Sequence, residues 1–156
     1  MTRREAFIAL NMMTSLGPVR VRNLVAALGS PEAVFTASEM ELRGAQGIGA
    51  EVARGILAQR GEVDTDAEEA RAATCGAHII TQDDVEYPEA LKQIYDPPLA
   101  LYVRGTIIKE DRHAIGVVGT RHATHYGQSV PDKLSSQFAR TGFTVVSGLA
   151  RGIDTA

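Results

Sequence analysis

Two strand-to-turn passages, separated by a single predicted helix, constrain this chain more than any other feature. Ala114-Ile115-Gly116-Val117-Val118-Gly119-Thr120-Arg121 is an apolar run that ends in a Gly-Thr-Arg turn. Thr144-Val145-Val146-Ser147-Gly148-Leu149-Ala150-Arg151-Gly152-Ile153-Asp154 is a β-branched run that ends in small residues, with a cap-like Asp just beyond. Between them, the stretch from Tyr126 or Gly127 to Arg140 repeats apolar Val130, Leu134 and Phe138 at helical spacing and stops at Gly142. Pro131 falls near the start of that helix, where it is better tolerated than in the middle. A right-handed strand–helix–strand crossover brings both turns side by side at the carboxyl edge of a parallel sheet, where a phosphate-sized ligand fits.

The rest of the chain must support that edge. At 156 residues and 44% hydrophobic, it can bury the core of one ordinary domain or two small ones. The net charge of −3 gives no global sign of nucleic-acid binding, so any basic surface must be local. Acid concentrates in the middle, at Asp64, Asp66, Glu68, Glu69, Asp83, Asp84, Glu86 and Glu89, whereas seven arginines from Arg3 to Arg60 give the first sixty residues a basic balance. Cys75 is the single cysteine, which excludes an intrachain disulfide and any multi-cysteine metal site. His78, His113, His122 and His125 have no acid or cysteine company at ligand spacing, so neither a metal nor a cofactor is expected. The first residues form no signal peptide and no run approaches the ~20 apolar residues of a membrane span, so a cytoplasmic protein without membrane contact is predicted.

In chain order, residues 5–13 predict a short helix with a poorly specified first turn, and Gly17-Pro18 opens a second that Gly29 ends. Ser30-Pro31-Glu32 restarts a helix, and Ser38 with Glu41 spells a capping box. A polar helix over 61–76 packs through Ala67, Ala70 and Ala73. Ala77–Thr81 reads as a strand, Glu89–Ile94 as a short helix and Leu99–Gly105 as a further strand introduced by Pro97-Pro98.

An internal repeat underlies the first part. Laying Ser15 on Gly47 aligns Gly17 with Gly49, Val21 with Ala53, Leu24 with Ile56 and Val25 with Leu57. The second copy, Gly47-Ile48-Gly49 followed by Ala53 and Ile56, spells the GxGxxxAxxI pattern of a helix-hairpin-helix, and the first is a degenerate copy. Such a turn aims backbone N–H groups at a phosphate, which is sequence-blind DNA binding. A Gly-x-Gly turn between two packed helices also serves as plain scaffold.

The order of these parts resembles the DNA-processing protein A family (DprA, also called Smf). The residues that carry the resemblance are "ITQDDVEYPEALKQIYDPPLALYVRG", "IGVVGTRHATHYG" and "GFTVVSGLARGIDTA", and it runs from about Leu16 to the last residue. It implies an α/β protein with a helical helix-hairpin-helix (SAM-like) domain over 1–62 and, over 63–156, the first part of an extended Rossmann-like domain with a mainly parallel sheet. It also implies a chain that stops inside that domain.

The function implied is non-catalytic: single-stranded DNA binding, and delivery of that DNA to the recombinase RecA in natural transformation and recombination. Carried onto this sequence, Arg121 matches a phosphate-contacting arginine in the turn of Gly119 and Thr120. Ser147, Gly148, Leu149, Ala150, Arg151 and Gly152 match a second phosphate loop, with Gly47, Ile48 and Gly49 a possible secondary contact. Family self-association, RecA contact and a DNA-holding lysine belong largely to a later part that this chain lacks. Single strands also need stacking platforms, for which Tyr126, His122 and His125 are the candidates.

Two alternatives stand beside this reading. A nucleotide-binding Rossmann enzyme of the nucleoside-monophosphate hydrolase type would use the same loops for one phosphate, but its Pro-Gly-Gly-x-Gly-Thr loop and catalytic Glu do not occur, nor does GxGxxG. A scaffold whose helical part binds a protein would keep the fold and show no salt-dependent DNA affinity. Ser147 has no His-Asp partner at legible spacing and is not read as a nucleophile.

Overall fold

The computed structural model describes residues 1–155, apart from the side chain of His125. The chain divides into two compact units, Met1–Thr106 and Ile107–Ala156. The first unit reaches past the 62/63 division because Ile8 in the N-terminal helix, Ala72, and the strand residues Ile79 and Ala100 share one buried cluster.

The first unit opens with α1 (Arg3–Met12), whose first turn is well specified after all. Thr2 Oγ1 accepts from the Glu5 N–H at 3.2 Å and Glu5 Oε2 accepts from the Thr2 N–H at 2.7 Å, a reciprocal box worth about 1 kcal/mol. Helix α2 (Pro18–Leu28) starts on Gly17 and stops at Gly29, which takes the left-handed φ of +89°. The helix expected after Ser30 is a four-residue 3-10 turn, Glu32–Phe35, with the Ser30 hydroxyl accepting from the Ala33 N–H at 3.2 Å. Helix α3 (Glu39–Arg43) carries the Ser38/Glu41 box as expected, and α4 (Ala50–Gln59) follows Gly49. Leu10, Leu24, Leu42 and Ile56 are fully buried at the centre of the main core. Each such side chain contributes roughly 1.5–3 kcal/mol relative to exposure.

The internal repeat is a structural one. Its two helices begin at Pro18 and Ala50, and the paired positions Val21/Ala53 and Leu24/Ile56 are all buried. The copies differ where Gly47 adopts φ +79° while Ser15 stays out of the left-handed region.

Helix α5 (Thr65–Thr74) begins later than expected, because the Asp64 carboxylate accepts from the Ala67 N–H at 3.0 Å and fixes the start there. Its alanine face is also different: Ala72 is buried, whereas Ala67, Ala70 and Ala73 are exposed. Polar side chains bridge the remaining distance, with the Tyr102 hydroxyl donating to Glu68 at 2.6 Å and Arg4 pairing with Glu69.

The sheet is not mainly parallel. Strand β1 (His78–Thr81) pairs antiparallel with β2 (Ala100–Val103), His78 opposite Val103 and Thr81 opposite Ala100. The intervening segment contains the short α6 (Glu89–Lys92) and folds back on itself instead of crossing over. Tyr87, 1% exposed, donates its hydroxyl to the Pro98 carbonyl at 2.8 Å, and the Gln82 amide donates to the Pro97 and Pro98 carbonyls at 3.0 Å. Those bonds return the chain beside the strand it left.

The second unit has the expected crossover: β3 (Ala114–Gly116), α7 (His125–Arg140) and β4 (Thr144–Val146), with Ala114 opposite Thr144 and Gly116 opposite Val146 in parallel register. The two ladders are separate two-stranded sheets. Thr124 caps α7 through a 3.0 Å bond from the Gly127 N–H, so the helix starts early enough to place Pro131 in its interior. Val130 and Leu134 remain 38% and 43% exposed on this helix.

Candidate functional site

The candidate site is the carboxyl edge of the β3–β4 pair. One more ladder bond, from the Val117 N–H to the Val146 carbonyl at 2.9 Å, carries the pairing beyond β3 before the chains part. Two loops then leave the sheet, 118–124 and 147–152, and the 3-10 turn Ile153–Thr155 that follows the second is bonded to the first. The Gly119 N–H donates to Asp154 Oδ1 at 3.0 Å, and the Ile153 N–H donates to the Thr120 carbonyl at 3.1 Å. The Ser147 hydroxyl lies 2.8 Å from the Val117 carbonyl and 3.1 Å from the Asp154 carbonyl, within donating distance of both.

Glycine is needed where these loops meet. Gly152 has φ +94°, and a β-carbon there would sit 2.2 Å from the Thr120 carbonyl oxygen. A β-carbon on Gly119 would come within 2.6 Å of the Ile153 side chain. Both distances lie far inside van der Waals contact, so neither position accepts a larger residue without moving a loop. Leu149 holds φ +52° although it is not glycine, and its side chain is 80% exposed. A left-handed residue in such a run lets neighbouring N–H groups converge on one side, a geometry suited to an anion.

The predicted residues fall into two groups. Gly119, Thr120, Ser147 and Gly152 make the contacts between the loops, with Gly148 beside the Asp154 carboxylate. Arg121, Leu149 and Arg151 are exposed and Ala150 is half-buried. Neither Arg121 nor Arg151 has a hydrogen-bond or ion-pair partner among the described residues, and the backbone N–H groups from Gly148 to Gly152 likewise donate to no described protein atom. Tyr126 is 79% exposed and His122 is exposed; the stacking role expected of His125 falls outside the described side chains.

Sequence reasoning treated Asp154 only as a cap and left Ile153 without a role. The structure puts both between the loops. The legible signal was an acid two residues beyond the last glycine of the turn. Further back, the Asp111 carboxylate steadies β4 by accepting from the Thr144 hydroxyl at 2.8 Å and from the Ile108 N–H at 2.8 Å. The backbone bond first, then the hydroxyl, lowers its pKa below the ordinary aspartate value.

The hairpin of the first unit is built differently. Ile48 is 5% exposed and belongs to the core, so only backbone is left to face a ligand there. The Asn23 amide donates to the Gln46 carbonyl at 2.9 Å and fixes the turn to α2. Among the described residues, no cluster of three or more His, Cys, Asp or Glu side chains has metal-holding geometry, and no helix is long and apolar enough to cross a membrane.

A family model described as DNA recombination-mediator protein A matches residues 78–156, which include this edge. "Protein Smf" of Synechocystis sp. is 30% identical over 152 residues, 95% of this chain and 38% of that protein. "DNA processing protein DprA" of Bacillus subtilis is 44% identical over 81 residues, covering 51% of this chain and 27% of that protein. The X-ray structure of DNA processing protein A from Streptococcus pneumoniae superposes with a TM-score of 0.64 at 23% identity, over 99% of this chain and 52% of that one, which shows a shared fold. The chain thus spans about half or less of the length of these relatives.

Proposed function

The chain belongs to the DNA recombination-mediator protein A family, and from that premise we propose that it binds single-stranded DNA at the β3–β4 edge without catalysing a reaction on it. Phosphate is held by Arg121 and Arg151 and by the free N–H groups from Gly148 to Gly152, on a frame made by Gly119, Thr120 and Ser147. Arginine offers a planar fork of donors to phosphate, and small residues allow the backbone to approach it closely. The carrying observation is that the two loops are tied together through Ile153 and Asp154 while their arginines and outer N–H groups have no described protein partner. A site whose donors are already satisfied would have nothing to offer an anion. Tyr126, beside the same loop, is the stacking candidate for a base.

In this reading residues 1–62 form the helix-hairpin-helix domain, and 63–156 the first part of a Rossmann-like domain. The whole protein hands its DNA to RecA in recombination, with self-association and RecA contact residing in the part of the relatives that this chain does not span. Gly47, Ile48 and Gly49 are a secondary contact through backbone alone.

The test is competition for a labelled oligothymidylate bound to this chain. Unlabelled single strands should displace it better than duplex, and a nucleoside monophosphate should not displace it at all. Displacement by the mononucleotide would favour the small-ligand enzyme reading, and preference for duplex would move the contact to the Gly47 hairpin.

A further inference from the structure

We infer that Asp154 is the positioning residue of this edge: its carboxylate fills the anion position at the Gly119 N–H, locks the Gly-Thr-Arg turn to the second loop, and thereby keeps phosphate on the outer side, at Arg121. The inference rests on the binding reading above and adds to it the group that sets the site's shape. Strand ends of this kind place a backbone N–H where an incoming phosphate would dock. Here that donor, on Gly119, is already engaged at 3.0 Å by Asp154 Oδ1. The other carboxylate oxygen lies so close to Gly148 that a β-carbon there would be 2.9 Å away. One carboxylate therefore lies between both loops.

The remaining bonds make Asp154 the centre of the connection. Its own carbonyl lies 3.1 Å from the Ser147 hydroxyl, which also reaches the Val117 carbonyl at 2.8 Å. Its neighbour Ile153 donates its N–H to the Thr120 carbonyl at 3.1 Å, and the Ile153 side chain occupies the space that Gly119 leaves open. Arg121 directly follows Thr120, so its backbone direction is fixed by these contacts. A carboxylate accepting a backbone N–H forms one of the stronger neutral–charged hydrogen bonds. Its negative charge also repels a phosphate from the inner position and leaves the outer arginine as the place to bind.

Three variants of this chain test the idea: Asp154→Ala, Asp154→Asn and Arg121→Ala, with the Asp154→Ala/Arg121→Ala double variant. The first readout is hydrogen exchange of the Gly119 amide by NMR, which needs no DNA. Its protection should be lost in Asp154→Ala and kept in Asp154→Asn, whose amide oxygen can still accept. The second readout is oligothymidylate affinity. Asp154→Ala should weaken it about tenfold in the parent and less than twofold in the Arg121→Ala background, while Asp154→Asn should bind at least as tightly as the parent because one negative charge is gone.

A Gly119 amide still protected in Asp154→Ala overturns the lock, whatever the DNA result. Equal losses in the alanine and asparagine variants, or a tenfold loss that persists without Arg121, overturn the positioning role. If the parent chain binds no oligothymidylate, the binding reading fails and the positioning role fails with it, while the exchange measurement still decides whether Asp154 locks the turn.

Discussion

The two units use their positive charge in opposite ways. In Met1–Thr106, ten Lys and Arg face fifteen Asp and Glu, and nine of those ten cations are engaged within the unit. Arg3 pairs with Asp83, Arg22 and Arg60 donate to the Tyr95 and Ala37 carbonyls, and Lys92 pairs with Glu89. Of the seven arginines in the first sixty residues, Arg3 and Arg4 pair with acid of the following stretch, Arg43 pairs with Glu39, and the other four donate to backbone carbonyls. In Ile107–Ala156, six cations face four acids, and only Arg112 has a described partner, the His113 ring at 3.0 Å. A count of charge over the whole chain conceals this division. What separates a structural arginine from a ligand-facing one is whether the fold already supplies its acceptor.

Burial divides the units in the same way. Apart from Pro131, every buried apolar residue among those described lies at or before Ala100, while Val118, Leu134, Phe143 and Val146 in the second unit are between 43% and 77% exposed. The sharpest way to break this contrast is to truncate one side chain in each unit. Leu24→Ala, at a fully buried position, should destabilise by about 2–5 kcal/mol, against under about 1 kcal/mol for Leu134→Ala. Denaturant unfolding followed by circular dichroism reads both, and equal losses would mean that the exposure difference has no energetic counterpart.

The next effect lies at the loops. Gly152→Ala forces a left-handed alanine whose β-carbon meets the Thr120 carbonyl, and it should cost about 2 kcal/mol or more and at least tenfold in oligothymidylate affinity. The comparable change in the first unit, Gly17→Ala, meets no atom within 4 Å and has no positive φ, so it should cost less than about 1 kcal/mol. Paired melting curves distinguish the two.

The smallest effect is acid sensitivity, and it should appear in both units. Asp111 in the second and Glu41 in the first have carboxyls held below their ordinary values of 3.8 and 4.5, chiefly by the backbone N–H groups of Ile108 and Ser38 respectively. A depressed folded pKa gives stability that is fully present above the ordinary value and is lost as pH falls through the lowered one. Each contribution should therefore fade on acidification below those values. Asp111→Asn should flatten only the part reported by β4 amides, which an NMR titration can resolve.

Local grammar made much of this legible in sequence. Pro18 after Gly17, the Ser38/Glu41 box and the Gly29 stop each act within one turn of chain, and the crossover from Ala114 to Val146 follows from strand spelling on either side of a helix. The 32-residue offset between Pro18 and Ala50 was visible because hairpin packing repeats the same buried positions. Pairings made at a distance were harder to read. The antiparallel β1–β2 ladder depends on Tyr87 and Gln82 reaching the Pro97-Pro98 carbonyls, and the face of α5 depends on Tyr102 reaching Glu68. Neither bond has a local signature. At the candidate site, the glycines and arginines stand out in the sequence by type, whereas Asp154 takes its place through a contact with Gly119, 35 residues away in sequence.

On the proposed reading Arg121 and Arg151, which have no partner among the described residues, hold single-stranded DNA. Fluorescence anisotropy of a labelled oligothymidylate, titrated at two salt concentrations with the parent chain, Arg121→Ala and Arg43→Ala, tests it most directly. Arg121→Ala should weaken binding about tenfold, or about 1.4 kcal/mol, and reduce the salt slope by about 0.7, while Arg43→Ala, 4.0 Å from Glu39 in the first unit, should change affinity less than about twofold. Equal effects of the two substitutions, or binding indifferent to both salt and Arg121, would contradict the account.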